Sequence, residues 1–184
     1  GSIGSELTDT PSTITLDGRS WTELTKDERL KIMTAERSDI EIVSDNEIKI
    51  INYEDIDIDS RVELTASARD GIYLGAETAV NINKVTAGTD VRIKTSKGIY
   101  NADNSGVVRI KGKDTILEAG QNSIGSIDNP LLLDIDEGIL TARAGDNIYL
   151  ETSNDDFNID TIYAVHHVNL DSAGGIYTAT NPDK

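Results

Sequence analysis

The sequence predicts an all-β fold in which short parallel strands stack as a β-helix, interrupted by one short helical insertion near the N-terminus. Internal repetition is the first observation behind this prediction. Ile72-Tyr73-Leu74 returns later in the chain as Ile148-Tyr149-Leu150, and Gly98-Ile99-Tyr100 returns at nearly the same interval as Gly175-Ile176-Tyr177. Self-similarity at a nearly fixed interval is typical of solenoids and repeat arrays.

The second and third observations are the spacing of the apolar residues and the nature of the residues between them. Apolar residues come in pairs two positions apart, such as Ile40 with Ile42 and Val80 with Ile82, and the pairs return about every eight residues. Because successive side chains of a strand point to opposite faces, each pair marks the buried face of a very short strand. Gly, Asn, Asp and Ser fill the intervals, which indicates tight turns and not helical crossovers.

An antiparallel meander would also give short strands, but it would not need the same residues to return in the same order. Stacked parallel coils do need this, because like side chains then meet and build one continuous apolar column. A more degenerate copy begins at Met33 and runs through Ile40 and Ile48, and the array is expected to start near residue 3. The unit of roughly 38 residues fits two coils of about 19 or one coil with loops, and we favour two coils.

Composition and charge are consistent with a single repeat domain over residues 1–184, expected to be a monomeric fragment of a much longer chain. The chain has 17 Lys and Arg against 33 Asp and Glu, a formal net charge of −16, and no cysteine. This charge argues against nucleic acid or an anionic membrane as the partner. No apolar run approaches the length that a membrane-spanning helix needs, and no basic segment precedes an apolar one, so we expect neither a membrane span nor a signal peptide.

Residues 19–31, RSWTELTKDERLK, form an insertion that the later copies lack, and they hold the only tryptophan. Thr25-Lys26-Asp27-Glu28 fits a capping box in front of a short helix that ends near Met33. Insertions in solenoids form loops on the flank, where binding functions often lie.

We predict that the insertion makes the partner contact through Trp21, Arg29 and Lys31, because tryptophan and arginine are enriched in binding hot spots. The alternative is that Trp21, Leu24 and Leu30 only pack against the side of the coil. The two basic side chains stand out on an otherwise acidic molecule.

Asp55, Asp57 and Asp59 alternate along a strand-like segment and are expected to line one outward face. Such oxygen ligands could hold calcium, the one cofactor considered. The segment lacks both the Gly-Gly-x-Gly-x-Asp pattern of calcium-binding coils and the EF-hand pattern, so a solvated face is the preferred interpretation and no metal ligand is predicted.

No catalytic or cofactor-binding residue is predicted. His166 and His167 are neighbours that would point to opposite faces of a strand, and a surface turn is the preferred interpretation. The chain lacks G-x-S-x-G and Walker-type loops. Paired carboxylates leave open a β-helical polysaccharide lyase or hydrolase, although the acidic face has only Lys49 and Arg61 as nearby basic residues.

Residues 103–139 depart most from the repeat unit. Pro130 lacks an N–H and is predicted at a corner, outside the strands. If Leu133 and Ile135 face the core, Asp134 and Asp136 should face outward.

The segments SIGSIDNPLLLDIDEGILTARAGDNIYLE, FNIDTIYA and VNLDSAGGIYTA resemble the haemagglutinin-type repeats of large bacterial exoproteins, and within that group the leukotoxin-like filamentous adhesins. The resemblance covers residues 33–179. It implies a right-handed parallel β-helix, secretion by a two-partner route, and a role in adhesion or toxin delivery. The chain departs from the family in lacking the secretion-signal domain and in carrying the insertion.

We therefore expect a non-catalytic stalk or adhesion segment of a secreted or surface-anchored bacterial adhesin or toxin, a virulence factor. Its partner would be a protein or glycan of the host-cell surface. The β-helical lyase or hydrolase remains the alternative.

Overall fold

The computed structural model describes residues 63–152 and 156–179 without a gap. Before residue 63 it describes Ile3, 5–6, 12–15, Arg19, 21–25, Glu28, 40–44, 47–50, 53–54 and 56–58. The chain forms two compact units, one of Gly1–Ser5 with Asp55–Lys184 and one of Glu6–Glu54.

The described residues are strands and turns, apart from a 3-10 helix at Trp21–Glu23 and a helical residue at Glu28. The strands are β1 (Ser5–Glu6), β2 (Ser12–Thr15), β3 (Ile40–Ser44), β4 (Glu47–Ile50), β5 (Tyr53–Glu54), β6 (Ile56–Asp57), β7 (Leu64–Ser67), β8 (Ile72–Ala76), β9 (Val80–Thr86), β10 (Val91–Thr95), β11 (Ile99–Asn101), β12 (Ile110–Lys111), β13 (Thr115–Ala119), β14 (Leu131–Asp134), β15 (Ile139–Ala144), β16 (Ile148–Thr152), β17 (Phe157–Ala164), β18 (Val168–Ser172) and β19 (Ile176–Thr178).

The larger unit is a β-solenoid of about six turns, which confirms the predicted stack of parallel strands. Its first sheet runs in the order β19-β17-β15-β13-β10-β8-β6, and its second in the order β11-β9-β12-β14-β16-β18, with β7 also on β9. Every pairing between these strands is parallel. The chain alternates between the two sheets as it winds.

The register of the first sheet gives the length of a coil. Ile72 pairs with Val91, Val91 with Thr115, and Thr115 with Leu140. The step from Ile72 to Val91 is the short coil predicted for half a repeat unit, and the next two steps are longer. The coils are therefore nearer to the favoured length of about 19 residues than to about 38, and those in the middle of the solenoid are longer. Ile3 forms a parallel bridge with Ile72, so the stacking includes residue 3.

The core is a column of inward side chains that continues from coil to coil. In the second sheet, Val80, Ile99, Ile124 and Ile148 stack in register and are each fully buried. Thr115 occupies one inward position of the first sheet, and it is accommodated because its hydroxyl donates to the carbonyl of Lys113 at 3.2 Å. The buried aliphatic residues of both sheets belong to one continuous cluster.

A recurring Gly-Ile-Tyr tripeptide starts strands in both sheets. At Gly71, Gly98 and Gly175, an added Cβ would meet the side chain of the tyrosine two residues later at 2.7, 2.5 and 2.5 Å. Glycine thus leaves the space in which the outward tyrosine ring lies along its own strand. The middle isoleucine faces the core at Ile72 and Ile99.

The prediction for β3 and β4 was wrong in one respect. Both are strands, as the paired Ile40, Ile42, Ile48 and Ile50 predict, but they do not continue the coils: β4 pairs antiparallel with β2 and with β3 in a three-stranded sheet of the smaller unit. Alternation with a period of two is the same in parallel and antiparallel strands. The short interval between Ser44 and Glu47 does not distinguish the two arrangements either, because corners of the solenoid are nearly as short, with three residues between β8 and β9.

The repeat in the sequence aligns Ile72 with Ile148 and predicts that the two occupy equivalent stacked positions, and this prediction was also wrong. Both are fully buried, as expected, but Ile72 lies in β8 of the first sheet and Ile148 in β16 of the second. The sequence repeat that matches these two residues therefore relates a strand of one sheet to a strand of the other.

The expectations for residues 103–139 are confirmed. Pro130 lies just before β14, outside the strands. Leu133 and Ile135 are fully buried, whereas Asp136 is exposed and Asp134 reaches the Nζ of Lys111 at 2.5 Å.

Truncation of the column tests its contribution to stability. We expect Ile72→Ala and Ile148→Ala each to lower the free energy of unfolding by about 2 to 5 kcal/mol, because each leaves a cavity in a packed core. Ile127→Ala is the matched control, since Ile127 is 71% exposed. Denaturant titration measures all three, and midpoints equal to that of the parent for the two core variants would contradict the inward assignment.

Candidate functional site

Of the predicted contact residues Trp21, Arg29 and Lys31, the structure describes Trp21. Trp21 begins the 3-10 helix Trp21–Glu23, and Arg29 and Lys31 lie outside the described residues. Leu24, which the alternative interpretation places in packing, is buried. The burial of Leu24 does not decide between the two interpretations, and the partner contact of Trp21, Arg29 and Lys31 stays a prediction.

The capping box predicted in the insertion is present. The backbone N–H of Thr25 donates to Oε2 of Glu28 at 2.7 Å, and the backbone N–H of Glu28 donates to Oγ1 of Thr25 at 3.2 Å. This reciprocal pair satisfies two N–H groups that the first turn of a helix leaves without partners. The helix predicted to run on to Met33 lies outside the described residues, apart from Glu28 itself.

Arg19 ties the start of the insertion to this cap. Its Nη1 donates to Oε2 of Glu28 at 3.2 Å and its Nη2 donates to Oε1 at 3.1 Å, and Nη2 also donates to the carbonyl of Thr15. The guanidinium hydrogen bonds, followed by those from Thr25, lower the pKa of Glu28 to about 2. Arg19 and Glu28, nine positions apart, are therefore joined by a charged, bidentate contact.

The acidic face and the histidines give no site among the described residues. Asp57 lies in β6, and Asp55 and Asp59 lie outside the described part of the chain. No cluster of three or more His, Cys, Asp or Glu in the described segments could hold a metal ion. His166 and His167 lie in the exposed turn before β18, as predicted, and Nδ1 of His166 meets Oδ1 of Asp146 at 2.8 Å.

A second candidate surface consists of two loops at one corner of the solenoid, residues 102–109 and 125–130, which we call the paired loops. In the coil that contains β9, this place is part of the strand itself, and Val85 follows Val80 after five positions. The next coil takes eleven residues between the matching partners Ile99 and Ile110. Two successive coils are thus enlarged at the same place.

Arg109 anchors the first of these loops from inside. Its side chain is 2% exposed, and it donates to the carbonyl of Asn83 at 2.9 Å, to Oγ of Ser105 at 2.7 Å and to the carboxylate of Asp103. A buried guanidinium is tolerated only when several acceptors surround it, as they do here. Asp103 also accepts from the N–H of Ser105 at 2.8 Å, and the hydrogen bonds from Ser105, followed by Arg109, lower its pKa.

Two asparagines join the loops to each other. Asn101 Nδ2 donates at 2.7 Å both to Oδ1 of Asn129 and to the carbonyl of Pro130. Asn129 Nδ2 in turn donates to Oδ1 of Asn104 at 2.6 Å and to the carbonyl of Asp103 at 3.0 Å. The paired loops therefore form one hydrogen-bonded structure across two coils.

The surface of the paired loops is apolar at two points and otherwise polar. Ile127 is 71% exposed and Val107 is 50% exposed, although loops of this composition are usually polar at their tips. Asp103 and Asp128 are the acidic residues of the two segments, and Arg109, the basic one, is buried. Preorganised loops that display aliphatic side chains can contact a partner at a low entropic cost.

Sequence reasoning missed the paired loops as a site. The departure of residues 103–139 from the repeat was visible, but the hydrogen bonds join residues about 25 positions apart, and no local pattern reports them.

The described residues also contain no helix long and apolar enough to cross a membrane.

The charge contact in the insertion predicts the titration of one carboxyl. Because the pKa of Glu28 is lowered from 4.5 to about 2, the stabilisation by its ionised form is complete above about pH 5 and is lost as the pH falls through 2. Carbon-detected NMR should show Glu28 titrating near pH 2, and Arg19→Ala should move the midpoint up towards 4.5. Arg69→Ala is the control, and an equal shift in that variant would contradict the assigned cause.

Two glycines of the paired loops form a matched pair for substitution, since both have φ in the left-handed region, +64° at Gly106 and +67° at Gly125. An added Cβ at Gly106 meets nothing within 4 Å, whereas at Gly125 it would lie 2.3 Å from the carbonyl oxygen of Tyr149. Gly106→Ala should cost roughly 1 to 2 kcal/mol from backbone strain alone, and Gly125→Ala about 2 to 5 kcal/mol because overpacking adds to it. Chemical denaturation measures both, and equal losses would contradict the tight fit at Gly125.

Comparison with known proteins found no relative of the chain. No family model, no curated protein and no solved structure matches the chain. The resemblance to haemagglutinin-type repeats therefore stays a prediction that rests on the quoted segments.

Proposed function

We propose that this chain is a non-catalytic stalk and adhesion segment of a secreted or surface-anchored bacterial adhesin or toxin. The observation that carries the proposal is the continuous apolar column, which fills the space between the two sheets from the bridge at Ile3 and Ile72 to the buried Phe157 of β17. Such a column suits a spacer because it can be lengthened by adding coils without altering those already present.

The geometry of stacking supports a spacer role. Each coil adds about 4.8 Å along the solenoid, the distance between neighbouring strands, and it is held to the next by ladders of backbone hydrogen bonds. Within each sheet of the described solenoid, a strand is hydrogen-bonded to the strands that lie next to it in the sheet order. In this proposal the winding is right-handed, as is usual for parallel strands joined by crossovers, and the insertion is helical from Thr25 onward.

The charge of the chain restricts its partners. A net charge of −16 opposes contact with nucleic acid and with anionic lipid, so the proposed partner is a protein or glycan of a host-cell surface. Export by a two-partner route, which the resemblance implies, would bring the chain to the bacterial surface or the medium. Both points are parts of the proposal.

The proposed contact surface is the insertion around Trp21, Arg29 and Lys31. Tryptophan and arginine are the residues that most often dominate binding energy, and two basic side chains would reduce the repulsion between this acidic chain and a negatively charged cell surface. The paired loops are the competing surface, since they display Val107 and Ile127.

A cell-binding assay tests the proposal and separates the two surfaces. Beads that carry the full chain are incubated with cultured epithelial cells, next to beads with a variant lacking residues 19–31 and beads with the double variant Val107→Ser/Ile127→Ser. We expect the deletion to lower binding at least about tenfold, the effect of losing one or two hot-spot residues. The double variant should bind as the parent does.

Circular dichroism and thermal unfolding of each variant show whether the solenoid is retained. Parent beads that bind no better than beads coated with serum albumin would contradict the adhesion role. Loss of binding in the double variant with full binding by the deletion would assign the contact to the paired loops and refute the role of the insertion.

A further inference from the structure

The backbone of Arg109 is fixed in position by the ladders on both sides of it. Its N–H donates to the carbonyl of Leu132 at 2.9 Å, and its carbonyl accepts from the N–H of Val85 at 2.7 Å. At the other end of the first of the paired loops, the N–H of Ala102 donates to a carbonyl of β9 at 2.9 Å. Ladder hydrogen bonds therefore hold residues 102–108, which we call the strap, at its two ends.

One carboxylate fastens the middle of the strap. Asp103 is the only charged residue of the strap, and it accepts from the guanidinium of Arg109 and from the backbone N–H of Ser105. The other acceptors around this guanidinium are neutral, namely both oxygens of Asn83, the carbonyl of Asp103 and Oγ of Ser105. In the described part of the chain, Asp103 is therefore the one anion that contacts this buried cation.

The other charged groups near the strap do not replace Asp103. They are Lys84 in β9, Lys111 in β12, Asp134 in β14 and Asp128 in the second of the paired loops. Lys111 and Asp134 pair with each other. Within the described residues, no hydrogen bond or ion pair links Lys84 or Asp128 to Asp103 or Arg109. Protonation of Asp103 would therefore leave Arg109 without an anion.

We propose that the strap is released by acid, closed while Asp103 is ionised and open once that carboxyl is protonated. An arginine side chain stays charged, so Arg109 cannot relieve its own burial by losing a proton. A buried cation that has lost its anion is strongly destabilising. Because the ladders fix the backbone of Arg109, the strap is the part that moves, and water then reaches the guanidinium.

The pH of release follows from the direction in which Asp103 is shifted. Hydrogen bonds from Ser105, followed by Arg109, lower the pKa of Asp103 from its ordinary 3.8. The ionised form therefore favours the closed strap above pH 3.8, and this preference is lost as the pH falls below that value through the lowered pKa. The strap is closed at neutral pH and opens in strongly acidic solution.

Opening changes what the paired loops display. Asn129 donates to the carbonyl of Asp103 at 3.0 Å and to Oδ1 of Asn104 at 2.6 Å, and both bonds are lost when the strap leaves. The bond from Asn101 to Asn129 does not involve the strap, so the second loop keeps its attachment to β11. Val107 then moves away from the second loop. The inference goes beyond the proposed function, which places the partner contact at the insertion.

The first test removes the charge of Asp103 at neutral pH. In Asp103→Asn the side-chain oxygen can still accept from Ser105, but the anion is gone. Hydrogen exchange of the Ser105 amide, measured by NMR, should quicken at least about tenfold, the effect of losing a hydrogen bond to a charged group. Asp128→Asn, which removes an exposed carboxylate of the second loop, is the matched control and should leave this exchange unaltered.

Two outcomes of this test overturn the proposal. One is a Ser105 amide as well protected in Asp103→Asn as in the parent. The other is an equal loss of protection in the amides of β14 and β16, because the release would then not be confined to the strap.

The second test applies acid to the parent chain. The Ser105 protection factor at about pH 2.5, below the ordinary range of an aspartate, should be at least about tenfold lower than at about pH 7. In Asp103→Asn the factor should be the same at both values. Unchanged protection of the parent in acid, or an equal acid response in Asp103→Asn, contradicts the assigned trigger.

The third test asks whether the buried charge drives the opening. Arg109→Met, added to Asp103→Asn, removes the cation as well as its anion, and the double variant should regain Ser105 protection that the single variant has lost. A double variant as open as Asp103→Asn alone would assign the opening to a weakened hydrogen bond with Ser105 and refute the role of Arg109.

Discussion

The inward column of aliphatic side chains is the constraint on which the rest of this structure depends. Each coil buries its inward residues only because another coil lies on each side of it, as Ile99 does between Val80 and Ile124. The backbone ladders hold the coils in register, but hydrogen bonding alone would not select one register over another. Apolar residues at alternate positions do so, because a slip of one residue would turn every one of them towards solvent.

The same constraint decides where the chain can vary. The six extra residues of the coil after β9 lie at a corner, whereas the irregularities inside strands are single-residue register shifts, as in the pairing of β15 with β17. The paired loops lie at this corner, and hydrogen bonds from Arg109, Asn101 and Asn129 hold them in place. Enlargement of a coil is thereby separated from the inward residues that bear on stability.

Local patterns predicted local structure well. Alternation located the strands and the inward face, the Thr25 to Glu28 spacing located the capping box, and Pro130 located a corner. Patterns could not decide which strands are neighbours, because alternation is identical in the antiparallel β3 and the parallel β8. The paired loops escaped prediction for a related reason, since their hydrogen bonds depend on the coil length, which brings residues some 25 positions apart together.

The long sequence repeat is informative because it relates strands that lie in different sheets. It relates Ile72 of the first sheet to Ile148 of the second, a shift of three coils and one further strand. The same features suit a strand of either sheet. They are a tight corner, an inward aliphatic residue, and an outward residue such as Tyr73 or Tyr100, which lie against Gly71 and Gly98. A segment copied from one sheet can therefore pack in the other, so a solenoid of this kind can lengthen by duplications that do not contain a whole number of coils.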